Sequence, residues 1–498
     1  MLSHQVIQVF YHSHILWMVF LSGCFRGATS GLNQNRNYTF VDVSFSYKYF
    51  SDEKQDDETY YMQEYISKWD FPSQLSAYID IGRKQLLSEA HLQFLRRAEK
   101  ERIKFDLIIV EMFFVPFGCV LSRTYSESAP IISLHSISTE FLVENNIGSI
   151  AHLSYAPSVY DDYTDKMSLW QKIENWFSNY YLWSLFEQAE ETVVKRYCNE
   201  MYGPGSEKLA DGCWSNVSLA LVANNPVYYY PRALSPNVIE VGPLHLKTPE
   251  KLSKELQEWL DGAEKGVIYF SLGSNIKSKS LPPEVRSNFI DFFAEHPDYR
   301  VLWKWELDGR IPGQSDNILA QKWMPQASIL AHPKVKVYIT QGGLQSFQEA
   351  VHYGVPLVGI PWSGDQGCNV AKMVDAGIGV RLRPQDLHSY DNIKAALETV
   401  LFDSRFSKNM KKLSALSKDF TDRGMDQAVF WIEHVAKHGG ASHLRPATAD
   451  TTLFQYFCLD IISLVLTLLI FCTYIVVISC KFAVAVIFKE SLPKIKAS

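Results

Sequence analysis

Beyond Gly266 the chain switches repeatedly between short apolar runs and helix-length amphipathic stretches, a pattern that few architectures accommodate. Gly266–Leu272, Arg300–Lys304, Val335–Thr340, Leu357–Gly359 and Gly379–Leu382 read as strands. Pro282–His296, Ser328–Ala331, Gln345–Tyr353 and Gln366–Ala376 read as helices between them. Strands separated by helices form βαβ units, so the pattern predicts an α/β fold with a parallel sheet covered on both faces. Ligands of such sheets bind beyond the carboxyl ends of the strands, where the search for a site begins. A second, less regular alternation lies earlier, with Phe105–Val110 and Pro130–Leu134 as strands and Leu169–Tyr197 at helical spacing. At 498 residues two globular domains are expected. Pro226, Pro231, Pro236, Pro243 and Pro249 crowd one stretch and suit an extended linker. The expected division is 1–235 and 251–450, joined by 236–250. No fixed-period repeat is evident.

Ile461–Cys480 is twenty residues without a charge, the length a helix needs to cross a hydrocarbon core of about 30 Å. A membrane helix is expected over 458–480. Lys481, Lys489, Lys494 and Lys496 follow with only Glu490 opposing them, which places the 481–498 tail in the cytosol and the bulk of the chain in the lumen. Asn37-Tyr-Thr39 and Asn216-Val-Ser218 are glycosylation acceptors compatible with that side. The ending Lys494-Ile-Lys496-Ala-Ser498 reads either as a lysine-based endoplasmic-reticulum retrieval signal or as a plain basic flank. Ile15–Gly23 resembles the apolar part of a signal peptide but lacks a charged segment before it. A net charge of −6 without a basic stripe gives no footprint for nucleic acid. No CxxC pair occurs among the eight cysteines, which disfavours a structural metal; Cys198 and Cys213 are near enough in sequence to close a short disulfide loop in an oxidising compartment.

Val335–Thr340 runs into Gln341-Gly342-Gly343, and a helix starts at once. Glycines allow close backbone approach, and the free N–H groups and positive end of that helix suit a diphosphate without any metal. Seventeen residues before Thr340 stands Trp323-Met-Pro-Gln326, an aromatic plane for a base and an amide for its edge. Glu349 lies one turn after Gln345 on the same helix face, where a carboxylate suits ribose hydroxyls. Asp365 and Gln366 stand at the next strand end, an acid and an amide suited to sugar hydroxyls. Contacts for base, ribose, diphosphate and sugar thus occur within forty-four residues.

The stretch WMPQASILAHPKVKVYITQGGLQSFQEAVHYGVPLVGIPWSGDQ resembles the donor signature of the UDP-glycosyltransferase family that includes the UDP-glucuronosyltransferases. The resemblance extends to Phe270-Ser-Leu-Gly-Ser274, to Pro236–His245 and to the terminal span with its basic tail. It implies two Rossmann-like domains facing across a cleft (the GT-B type), plus the terminal transmembrane helix. It also implies an inverting transfer from a UDP-sugar to small lipophilic acceptors, with the sugar nucleotide as co-substrate and no metal or other cofactor. Trp323 would stack on uracil and Gln326 hold the base. Ser274, Gln341 and Gly343 would lie at the diphosphate, followed by Gln345 and Ser346; Glu349 would meet the ribose, and Asp365 with Gln366 the sugar. Many members carry histidine where this chain has Gln341; the Thr-Gln-Gly-Gly-Leu-Gln-Ser form looks like the arthropod and baculoviral branch, which generally favours UDP-glucose over UDP-glucuronate.

Inverting transfer needs a base for the acceptor hydroxyl and a carboxylate that orients it. By resemblance His4, in Ser3-His4-Gln5-Val6, and Glu111, at the end of Phe105–Glu111, are the candidates; Ser13-His14 is a rival match. His4 is only the fourth residue, so the first β-unit of the acceptor domain reads as incomplete. Without that unit the chain would be a donor-binding pseudoenzyme that pairs with active relatives, as a homo- or hetero-oligomer. Leu169–Tyr197, with Trp170, Trp176, Phe177, Tyr180, Tyr181, Trp183 and Phe186 among its charges, either lines the acceptor pocket, rests on a bilayer or packs within its domain. A nicotinamide-dependent oxidoreductase is disfavoured because no GxGxxG follows a strand.

Overall fold

The structure, a computed structural model, describes residues 6–12, 15–21, 38–43, 45–46, 67–69, 71–149, 151–246, 248–274 and 276–490. The chain divides into two compact units, Met1–Pro446 and Ala447–Ser498.

The first unit holds two sheets. One contains β1 (Val6–His12), β2 (Ile15–Leu21), β3 (Tyr38–Asp42), β4 (Leu107–Glu111), β5 (Ile131–His135), β6 (Val217–Val222) and β7 (Val238–Glu240), in the order β3-β1-β2-β4-β5-β6-β7. β1 runs antiparallel to both β2 and β3, and every pairing from β2 to β7 is parallel. Ile15–Leu21, whose apolar run reads as a signal core, is therefore a strand paired to β4. The other sheet contains β8 (Gly266–Ser271), β9 (Tyr299–Lys304), β10 (Ile318–Gln321), β11 (Val335–Thr340), β12 (Leu357–Gly359) and β13 (Gly379–Arg381). Its order is β10-β9-β8-β11-β12-β13, and all its pairings are parallel.

Helices cover both. Around the first sheet run α1 (Phe71–Leu86), α2 (Glu89–Lys100), α3 (Val115–Tyr125), α4 (Phe141–Asn146) and α5 (Leu169–Tyr202). With the second come α6 (Lys254–Asp261), α7 (Pro283–Glu295), α8 (Gln326–Leu330), α9 (Leu344–Tyr353), α10 (Gln366–Asp375) and α11 (Tyr390–Phe402), and then the long α12 (Ser404–His438). Strand alternation sorts the side chains between the two faces. In β4, Ile108 and Val110 join the core with Phe117 and Val120 of α3 and Phe186 of α5, whereas Leu107 and Ile109 face the other way with Ala428 and Val435 of α12. In β8, Ile268 and Phe270 pack with Phe289 and Trp303, while Val267 and Tyr269 pack with Tyr338 and Phe347. A sheet buried on both faces needs such near-continuous apolar runs, which is why these strands were visible in the sequence.

Three sequence expectations change. Val238–Glu240, inside the expected linker 236–250, is the last strand of the first sheet, because its prolines flank rather than interrupt the short run Val-Ile-Glu. The stretch 251–450 does not stay with its own sheet: α12 returns to cover the first one, and the Asn225 amide donates to the Ser417 carbonyl at 3.1 Å. The disulfide joins Cys119 to Cys213, with Cα atoms 5.6 Å apart, and Cys198 is a buried free thiol. Helix α5 runs on through Tyr202 and fixes Cys198 on its core face, so the turn after it delivers Cys213 to Cys119 on α3 instead.

The second unit contains α13 (Leu453–Tyr456) and α14 (Leu459–Glu490). Leu459–Ile487 is 29 residues with a mean hydropathy of 2.9, long and apolar enough to cross a membrane. At 1.5 Å per residue it reaches about 43 Å. The helix passes the expected end at Cys480 because Phe482–Ile487 is again apolar and carries no helix breaker.

Candidate functional site at the facing strand ends

In the second sheet the carboxyl ends of β8, β11 and β12 converge. β8 leads into Gly273-Ser274, β11 into Gln341-Gly342-Gly343 and β12 into Asp365-Gln366. Gly342 has φ +86°, and a Cβ there would stand 2.5 Å from Val370 Cγ2 on α10, so only glycine lets the loop turn against that helix. Gly273 has φ +80°, and its Cβ would stand 2.6 Å from the Gln341 amide nitrogen. Side chains tie the β11 and β12 ends together. Gln366 Nε2 donates to Gln341 Oε1 at 3.3 Å, and Gln366 Oε1 accepts from the Trp362 and Ser363 N–H groups at 2.7 and 3.2 Å. Asp365 Oδ2 accepts from the Leu344 N–H at 3.1 Å, in the first turn of α9, and from Asn369 Nδ2 at 2.8 Å. A carboxylate is stabilised at a helix N-terminus by the unpaired N–H groups and the positive dipole end, whereas burial pushes the Asp365 carboxyl upward.

The expected base and ribose residues also meet. Trp323, on the loop before α8, is 42% exposed, so its ring is open to a stacking partner. Gln326 Nε2 donates to Glu349 Oε2 at 2.7 Å and to Ser346 Oγ at 3.1 Å. Gln326 Oε1 accepts from the Tyr338 hydroxyl at 2.7 Å and the Tyr269 hydroxyl at 3.3 Å. The glutamine amide is thus spent within the protein, and its effect is to fix Glu349. Glu349 is fully buried; burial pushes its carboxyl up to about 7, against the Gln326 hydrogen bond. Its Oε1 lies 3.7 Å from His245 Nε2, and both atoms are buried without a hydrogen-bond partner among the described residues. His245, quoted above only for resemblance, is a site neighbour that sequence reasoning missed. Gln345 and Ser346 occupy the first turn of α9, half-buried.

On the first sheet Glu111 closes β4 and is 3% exposed, with its Oε2 accepting from the Phe113 N–H at 3.0 Å. His4 and His14 lie outside the described residues. Two residues absent from the sequence reading stand beside Glu111. Glu140 Oε1 accepts from the Tyr160 hydroxyl at 3.2 Å, and burial pushes the Glu140 carboxyl up to about 8, with Tyr160 and Arg232 opposing. The Tyr160 phenol is raised well above its ordinary value by burial, then by Glu140, Asp365 and Glu111. One phenol therefore feels a carboxyl from each sheet, so the carboxyl ends of the two sheets face each other.

The loop carrying Tyr160 is clamped from both sides. Lys68 bonds Asp161 at 2.7 Å, and Arg232 bonds Glu144 at 2.7 Å and the Pro157 carbonyl at 3.0 Å. Across the cleft, Arg381 of β13 pairs with Asp162 at 2.5 Å and Lys166 with Asp375 at 3.2 Å. Nothing local in the sequence marks these pairs, which join residues 209 to 219 positions apart. Beneath the loop a pocket opens between α1, the turn after β4 and α5, walled by Leu75, Phe113, Leu182, Trp183 and Phe186, with Glu140 and Tyr160 at its polar side. Helix α5 thus splits its aromatic residues: Trp183 and Phe186 turn into the pocket and core, whereas Trp170, Trp176 and Phe177 are exposed.

Comparison with known proteins agrees with this geometry. A family model for UDP-glucoronosyl and UDP-glucosyl transferases matches residues 7–492. A UDP-glucosyltransferase 2 of Dactylopius coccus is 35% identical over 381 residues, 76% of this chain and 72% of that protein. The human UDP-glucuronosyltransferase 2B7 is 32% identical over 412 residues, 82% of this chain and 75% of that one. Among solved structures the glycotransferase of kitacinnamycin, at 18% identity, superposes with a TM-score of 0.50 over 75% of this chain and 85% of that one, and so shares the two-sheet GT-B fold. A parallel-sheet cleft of this form, a family match across nearly the whole length and relatives of both donor types lead to one conclusion: the chain belongs to the UDP-glycosyltransferase family and is a UDP-sugar-dependent glycosyltransferase.

Proposed function

We propose that the chain transfers glucose from UDP-glucose to a hydroxyl of small lipophilic acceptors with inversion, at a membrane. The observation that carries this reading is the convergence of Gly273-Ser274, Gln341–Gly343 and Asp365-Gln366 at the head of α9. In it, uracil stacks on Trp323 and the ribose meets Glu349, fixed by Gln326, which Ser346 holds in turn. The diphosphate sits on Ser274, Gly343 and the first turn of α9 through Gln345, where backbone N–H groups and the Gln341 amide meet its charge without a metal. Asp365 and Gln366 hold the sugar. The acceptor oxygen attacks the anomeric carbon as a histidine base, His4 or His14, takes its proton; the bond to the diphosphate breaks and UDP leaves. Glu111 orients that base and stabilises it once protonated.

The choice of glucose over glucuronate rests on the Thr340-Gln341-Gly342-Gly343 form and on the glucosyltransferase among the relatives. The apolar pocket walled by Phe113, Trp183 and Phe186 suits a lipophilic acceptor, and a role in detoxification follows. Helix α14 anchors the chain in the endoplasmic-reticulum membrane, with the bulk lumenal and glycosylated and the tail cytosolic. UDP release should be followed on the full-length chain in membranes, with UDP-glucose and UDP-glucuronate against a panel of phenols. Faster release with UDP-glucose is expected. Tight UDP binding without turnover on any phenol would leave a donor-binding protein that acts by pairing with relatives.

A further inference from the structure

The pocket under the Tyr160 loop is apolar on most sides, and its few polar groups are unevenly occupied. Asn179 spends its amide on the Asn175 backbone and side-chain oxygens at 2.7 and 2.9 Å. Ser158 bonds within its own turn, accepting from the Tyr160 N–H at 3.3 Å. Glu140 and Tyr160 face each other at 3.2 Å. The indole N–H of Trp183 is buried and has no hydrogen-bond partner among the described residues. Glu140 and Trp183 both line this pocket, and Phe141, which follows Glu140 in the chain, packs edge-on against the Trp183 ring with centroids 6.5 Å apart. A buried donor left unpaired is a defect in a finished core, and in a pocket it marks where a ligand atom goes.

We propose that Glu140 and Trp183 form a subsite for a second hydroxyl on the acceptor, remote from the one that is glycosylated, with Tyr160 holding Glu140 in place. A hydroxyl both donates and accepts, so one such group can donate to a Glu140 oxygen and accept from the Trp183 N–H. A methyl satisfies neither, and an ammonium cannot accept. The acceptor class is then a lipophilic body with hydroxyls at both ends, such as a diphenol or a diol. The inference rests on the proposed function only in placing the acceptor here. Glu140 is a specificity-determining residue that takes no part in the transfer step itself.

The experiment compares acceptor pairs that differ by a single distal group, a 4-alkylphenol and its ω-hydroxy analogue, on the full-length chain in membranes with UDP present. Equilibrium dialysis reads binding, and UDP release from UDP-glucose, in a separate assay without added UDP, reads turnover. The hydroxylated partner is expected to bind about tenfold tighter, the weight of one to two buried hydrogen bonds. Glu140→Leu and Trp183→Phe should each erase most of that ratio while leaving UDP affinity unchanged. Glu140→Gln, of nearly the same shape, should keep part of it and guards against a folding defect in the leucine variant. Equal binding of the two ligands by the unmodified chain, or a ratio that survives both substitutions, would overturn the subsite. Because binding is read without turnover, failure of transfer with normal selectivity would count against the proposed function alone.

Discussion

The two sheets solve the same problem differently. In the second, every side chain assigned to the donor sits on a loop that follows a strand or on the first two turns of the helix after it. In the first, the pocket draws on α1, the turn after β4, α5 and a loop held by ion pairs from distant positions, with Glu111 alone standing at a strand end. A site built on consecutive strand ends is rigid because the sheet fixes it. A site built on loops and a long helix can change its specificity without disturbing the sheet.

The largest effect expected from this contrast falls on turnover. Glu111→Ala removes the carboxylate that orients the base, and turnover with UDP-glucose should fall about 10²- to 10⁴-fold while UDP affinity holds. Equal losses in both would place Glu111 on the donor side. Next, Trp323→Ala takes away the stacking plane; aromatic stacking on a base is worth about 1–3 kcal/mol, so the Kd for UDP should rise roughly 10- to 100-fold with the rate at saturation kept. Calorimetric titration with UDP would show it, and an unchanged Kd would remove Trp323 from the site. The Cys119–Cys213 bond closes a loop of 94 positions in the first sheet alone. Cys213→Ser should destabilise that half by about 2–4 kcal/mol and leave UDP affinity intact, as measured by melting with and without UDP.

The smallest effect is a pH dependence shared by both halves. Glu190 of α5 is buried, and that burial pushes its carboxyl up to about 8, although the Trp214 N–H donates to it at 3.1 Å; Glu349 is pushed up to about 7. Both native carboxyls hold their protons above the ordinary 4.5, so the unfolded chain ionises first as pH rises. Stability is therefore full below about pH 4.5, falls as pH rises and levels off above about pH 7 for Glu349 and pH 8 for Glu190. The melting temperature should drop by roughly 5 °C between pH 5 and 8. Glu140, also pushed up to about 8, adds to the same fall, so Glu190→Gln should lessen it up to pH 8 without abolishing it and Glu349→Gln should lessen it only up to pH 7; a profile unaltered by either would contradict the assignment.

Sequence reasoning reached the two halves unequally for the same physical reason. Val335–Thr340, Leu344–Tyr353 and Leu357–Gly359 are short elements whose apolar periodicity, glycines and site residues lie within a few positions of one another, so pattern and chemistry could be read together. Glu111 was legible because it ends a strand of five buried residues. Glu140, Tyr160 and His245 were not, since their significance comes from partners brought close only by folding. The pairing of Cys213 with Cys119 was hidden likewise: sequence proximity favoured Cys198, but the helix carrying it points that thiol into the core. The return of α12 to the first sheet has no local signal either, because its apolar face would suit any sheet.

Hydrogen–deuterium exchange on the full-length chain in membranes, with and without UDP, tests the division of labour most directly. Exchange should slow at residues 272–274, 323–326, 341–349 and 362–366 on adding UDP, with 151–168 and the pocket face of α5 unchanged until a phenol is added as well. Protection by UDP confined to the first sheet, or absent from the strand ends of the second, would contradict it.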